Sequence, residues 1–235
     1  MKTKFPNQLN ELKTLLDSFS ERELSCDQLN FTLHEEEEHV PVNHFFPDPE
    51  NVKSEFICWG EKVADNLVLS WLVDGKTIEN APIAMIDSEQ SPVAVVANSP
   101  EDFLKILPYG TFIIGSIAEN CLKNWAEQEY TDTYFEEYLN KEIKKAGNEN
   151  DFALNEHLEI AKMYGDTFTL ERPKEELRAE LELQGKAYLE LINWYKTNGI
   201  EIAKNPFTII KEAVTSYPNF FDRAIELGLP FQKWD

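Results

Sequence analysis

Side chains able to do chemistry are densest in the run His34-Glu35-Glu36-Glu37-Glu38-His39, with His44 close behind. Imidazoles and carboxylates are metal ligands, and two histidines stacked at i and i+4 on one helix face would suit zinc. The spacing here does not provide that. His34 and His39 are five residues apart, about 140° around a helix, and an odd separation puts them on opposite sides of a strand. The run reads as a solvated acidic loop, so no metal and no other cofactor is expected. Cys26, Cys58 and Cys121 are widely spaced, odd in number and without a CxxC pairing, which fits reduced, buried thiols rather than zinc or redox chemistry. Carboxylates are so abundant that an acid/base pair such as Asp87 with Glu89 carries little information. The nine glycines form no phosphate-cradling loop. No catalytic residue can be assigned, and the chain is not expected to be an enzyme.

The elements that would position any site are clearer. An amphipathic helix is expected over about Asn7 to Phe19, from Leu9, Leu12, Leu15, Leu16 and Phe19 at helical spacing. Residues 20–54 read as a loop, interrupted by Pro41, Pro47 and Pro49, with one short strand near Leu29 to Leu33. Glu55 to Trp59 and Leu67 to Val73 read as neighbouring strands, with Gly60 to Asn66 between them and an Asp74-Gly75 turn after the second. Pro82 to Ile86 and Pro92 to Ala97 flank the polar connection Asp87 to Ser91 and form a hairpin. Ser99 then caps a helix opened by Pro100, with Asp102 three residues beyond the cap. The joining loops are too short for parallel crossovers, so the sheet should be antiparallel, with helices on one face.

After Gly110 nearly everything reads as helix. The first part is mixed, with a short strand at Phe112 to Gly115 and a helix capped by Ser116. Helices follow over Asp132 to Ala146, with Gly147 as a C′ residue, and over Phe152 to Tyr164. The longest, from Pro173 to Thr197, carries the stripe Leu177, Leu181, Gln184, Tyr188, Leu191, Ile192 and Tyr195 and is stopped by Asn198-Gly199. Pro206 and Pro218 open the last two. The expected fold class is α+β: an antiparallel sheet of four to six strands flanked by helices in a core domain, 1–110, followed by an all-α carboxy-terminal extension, 111–235.

Composition narrows the partners. With 43 acidic residues against 22 basic ones, the formal net charge is −21. Such a field repels nucleic acid and anionic membrane and accelerates encounter with a basic partner, although solubility alone would also account for it. No apolar run approaches the roughly 20 residues of a bilayer span. The amino terminus lacks the apolar segment of a signal peptide, so a cytoplasmic location is expected.

The order of elements up to Leu107 resembles the SUKH superfamily, the Smi/Knr-like fold. The resemblance is carried by the helix Leu9 to Phe19, Trp59-Gly60 at a strand end, the acidic Asp65, the proline-led strand Pro82 to Asp87 and Ser99-Pro100-Glu101-Asp102-Phe103-Leu104. It covers a little under half the chain. A single glycine follows Trp59 where the family often has more, and the helical half has no counterpart in a minimal member. Bacterial members are mostly immunity proteins of polymorphic toxin systems. The resemblance therefore implies a non-enzymatic protein that binds and blocks a cognate toxin domain, a basic nuclease being the complementary case. The alternatives are a regulatory or scaffolding protein of the same fold without a toxin, and, further off, a hydrolase. The resemblance implies that Trp59 lies near the partner face. Glu35, Glu36, Glu37 and Glu38, together with Asp48, Glu50, Glu55 and Asp65, offer the acidic surface for the partner.

Overall fold

Leu67, Leu69 and Trp71 fall on one side of a strand and Val68 and Ser70 on the other, and all five are buried. Ile83 to Ile86 and Ala94 to Ala97 are buried at every position as well. Strands apolar on both sides need cover on both sides, and that requirement organises the whole molecule. The computed structural model describes residues 6–22, 24, 32–33, 55–62, 66–86, 93–123, 130–147 and 150–228.

The sheet has five antiparallel strands in sequential order: β1 (Thr32–Leu33), β2 (Phe56–Lys62), β3 (Asn66–Trp71), β4 (Ile83–Ile86) and β5 (Ala94–Ala97). The fold is α+β, as the alternation of patterns predicts. The β2–β3 connection is tighter than expected, because β2 continues through Gly60 to Lys62. A register shift there pairs Cys58 with Leu69 and Gly60 with Val68, leaving Trp59 as the extra residue of a bulge. Val73 belongs to a 3-10 turn, not to β3, and the turn is completed by Asp74 at φ 55° and Gly75 at φ 74°.

The first sheet face carries Trp59, Val68, Ile83, Met85 and Val96. It is covered by α1 (Asn10–Glu21), α2 (Pro100–Ile106) and α7 (Lys174–Thr197), which contribute Leu12, Phe103, Tyr188, Leu191 and Tyr195. Ser99 Oγ accepts the Asp102 backbone N–H at 3.2 Å, so α2 begins where the Ser-Pro pair predicts. The expected strand at Phe112 to Gly115 is not formed. Those residues lie in α3 (Thr111–Leu122), where Ile114, Ile117 and Ala118 recur at helical spacing on the buried side. α4 (Asp132–Ala146) and α5 (Asn150–Tyr164) match their expected bounds closely, although Gly147 ends α4 at φ −90° rather than in the left-handed region.

The second face, with Phe56, Cys58, Leu69, Trp71, Ile86 and Val95, is also covered, contrary to the one-sided expectation. α8 (Pro206–Ser216) lies against β5 and places Phe207 and Ile210 in the first core and Ala213 in the second. α9 (Phe220–Glu226), which starts two residues after Pro218, adds Phe220 and Ala224, and the Phe220 ring packs 5.1 Å from Trp71. The β5 edge is thereby shielded. A short helix without a sequence forecast, α6 (Thr167–Glu171), separates α5 from α7.

Candidate functional site

Of the acidic residues expected to meet a partner, Glu35, Glu36, Glu37, Glu38, Asp48, Glu50 and Asp65 lie outside the described residues, as do His34, His39, His44 and Cys26. Glu55, the one acidic residue of this set that is described, and Trp59 both have internal duties. Glu55, at the entrance to β2, accepts from Arg223 Nε of α9 at 2.8 Å and again from the second guanidinium nitrogen. It is tied to the last helix rather than presented to a partner. Trp59 is fully buried, edge-on to Phe103 at 5.9 Å, and its Nε1 donates to Ser70 Oγ at 2.9 Å. It is a core residue with no surface to offer.

The Glu55–Arg223 pair has a testable pH signature. The Arg223 hydrogen bonds hold the Glu55 carboxyl below its ordinary value of 4.5 against the opposing effect of burial. A lowered folded pKa contributes stability that is complete above the unfolded pKa and lost as pH falls through the folded one. Both side chains are about a third exposed, so the expected contribution is only about 0.5–1 kcal/mol. Urea denaturation of Arg223→Met should show this deficit at pH 7 and a shrinking one below about pH 4.5. A deficit independent of pH would assign it to lost packing of the guanidinium stem instead.

The Cys121 thiol is held in an inert state. Burial pushes the Cys121 thiol up to about 11, with Lys211 acting in the opposite direction, so at neutral pH it is protonated and weakly nucleophilic. Cys58 is buried in the second core. Among the described residues no group of three His, Cys, Asp or Glu side chains could hold a metal ion.

A cluster of paired charges lies where α4, α5 and α7 meet, around a cavity of about 150 Å³. Gly185 of α7 permits the approach, since a Cβ there would stand 3.0 Å from the Ala146 Cα. Lys145 donates to the buried Glu142 at 2.8 Å and reaches Glu156 of α5 at 2.6 Å, while Lys141 also pairs with Glu156. Burial opposes the Lys145 charge, but the two carboxylates outweigh it and its pKa is raised. Glu156 is lowered by its two lysines against the same opposition. An ammonium held protonated between two carboxylates is neither an amine nucleophile nor a base. The cluster locks α4 to α5.

The surface feature the sequence reading missed is the corner where α5 turns into α6. Ile160, Met163, Tyr164, Phe168 and Leu170 are all exposed there. A signal was available. On a helical wheel, Phe152, Ile160, Met163 and Tyr164 fall within about 120° of one another, an arc that also holds the buried Ala153, while the buried Leu154 and Ala161 lie on the adjoining side. Among the described residues no helix is long and apolar enough to cross a membrane. Compared with known proteins, the chain matches no protein family, no curated protein and no solved structure.

Proposed function

We propose that this chain is a cytoplasmic immunity protein that binds a basic toxin domain, such as a nuclease, and blocks it by occlusion. The observation that carries the reading is the net charge of −21, and the resemblance of the first half to SUKH proteins supplies the toxin context. A nuclease must hold a polyanion, so its substrate groove is basic. An acidic protein approaches that groove along the same field as the substrate and fills it without doing chemistry. The protonated Cys121 thiol and the carboxylate-paired Lys141 and Lys145 suit a protein whose work is contact.

The experiment sequences the neighbouring reading frame and co-expresses the chain with the basic carboxy-terminal domain that this reading expects it to encode. Protection from its toxicity and a one-to-one complex are expected. The association rate should fall by about tenfold or more between low and physiological salt, because steering by exposed charge is screened over a Debye length of about 8 Å. Continued toxicity with no complex, or capture of several unrelated proteins with similar affinity, would count against immunity and favour a regulatory binding protein.

A further inference from the structure

Three large side chains stand almost fully in solvent on one well-built turn: Met163 at 80%, Tyr164 at 82% and Phe168 at 71% exposure. Ile160 and Leu170, at 47% and 41%, border them. The turn itself is tightly specified. Gly165 takes φ 70°, which a side chain would strain, and the Asp166 N–H returns to the Ala161 carbonyl at 2.8 Å. The Asp166 carboxylate then caps α6 by accepting the Thr169 N–H at 2.9 Å, and Thr169 is buried beneath the turn. Arg172 lies 5.6 Å from the Phe168 ring centroid and is anchored to Glu176 at 3.0 Å and Glu180 at 2.6 Å of α7. Rigid backbone beneath exposed apolar side chains is the arrangement of a contact surface, because the ordering that binding would otherwise require is already in place.

Charge selects the occupant. The stretch from Asn150 to Gly185 carries nine carboxylates against four lysines and arginines. The nearest basic groups, Lys162 and Arg172, are paired with Glu159, Glu176 and Glu180. A second copy would bring another chain of −21 to an already acidic corner, whereas a basic surface with an apolar centre meets both the ring of carboxylates and the side chains inside it. We propose that this α5–α6 corner is the surface that seats the basic protein partner, with Met163, Tyr164 and Phe168 as its apolar anchors. This rests on the binding-protein reading above and adds the place at which it happens.

The test uses the full chain and the purified basic domain from the co-expression assay. Met163→Glu with Phe168→Glu makes the chain more acidic, so binding by charge alone would strengthen. Seating on the corner predicts the opposite, a loss of about 30-fold or more in affinity. Thr133→Glu with Asn193→Glu adds the same charge at exposed positions elsewhere and should leave affinity within about threefold. Both variants should unfold at the temperature of the unmodified chain, and Phe168→Ala provides a milder version if the double variant does not. Undiminished affinity in the corner variant, with the unmodified chain binding normally, overturns the surface and leaves the function standing. A chain that binds no basic partner overturns both. A dimer in sedimentation that the corner variant converts to monomer also overturns the proposal, by giving the corner to a second copy.

Discussion

A chain ended after Gly110 is expected not to fold, although it contains the whole sheet and every element on which the family resemblance rests. The first sheet face is packed by Ile114, Ile117, Phe135, Tyr188, Leu191, Ile192, Tyr195, Phe207 and Ile210, all beyond that point. The second face is packed from the same half by Ala213, Phe220 and Ala224. Polar ties cross the division as well. The Tyr195 hydroxyl donates to the Leu104 carbonyl at 2.8 Å, the Tyr109 hydroxyl to Ala203 at 2.7 Å, and the Ala203 N–H to Lys105 at 2.9 Å. Each large apolar side chain left bare forfeits about 1.5–3 kcal/mol. Several such losses exceed the roughly 5–15 kcal/mol that stabilises a whole domain. Deletion also uncovers the β5 edge, which becomes a template for aggregation. Far-UV circular dichroism and amide proton spectra of residues 1–110 should show a collapsed or aggregated chain without a cooperative transition. A dispersed spectrum with sharp unfolding would establish a self-sufficient core carrying a dispensable extension.

The same packing explains which parts of the fold were legible in the sequence. Helices with a clear apolar stripe and a capping residue emerged within a few residues, as α4 and α7 show, because their period and termini are local properties. Phe112 to Gly115 misled because four apolar or small residues in a row suit a strand or a buried helix equally well. The decision was made by tertiary contact of Ile114 and Ile117 with the core. The two-sided burial of the sheet was readable in principle, since β4 and β5 are continuous apolar runs. What could not be read locally is that the helices covering the second face, α8 and α9, come from more than 100 residues beyond β5.

The binding surface was harder to read for a different reason. Net charge is a sum over the chain and says what kind of partner is favoured without saying where it binds. Glu55 was selected because it is acidic and beside a strand, yet a guanidinium from the last helix claims it. Met163 and Phe168 are hard to single out in sequence because an apolar residue on a helix is usually core, and only the positions of neighbouring helices reveal that they stand exposed among the described residues.

Trp59 is the residue whose replacement should cost the most among single changes, and the cost should have two separable parts. The indole occupies the bulge of β2 in the first core, beside Phe103 and in the same cluster as Leu9 and Leu12. Trp59→Ala should therefore lose about 3–5 kcal/mol through the cavity it leaves. Trp59→Phe retains most of the volume but removes the donor to Ser70 Oγ, a hydroxyl that is itself fully buried, and should cost about 1–3 kcal/mol. Ser70→Ala removes the acceptor from the other side. Combining Trp59→Phe with Ser70→Ala withdraws both partners together, so the double variant should be more stable than the sum of the single changes predicts. Urea denaturation of the four proteins measures this coupling, and strict additivity would mean that the hydrogen bond contributes nothing. Because Trp59 is enclosed by the core, Trp59→Phe should leave partner affinity unchanged wherever the protein remains folded. A loss of affinity in a stably folded Trp59→Phe would instead place this end of the sheet within the partner face.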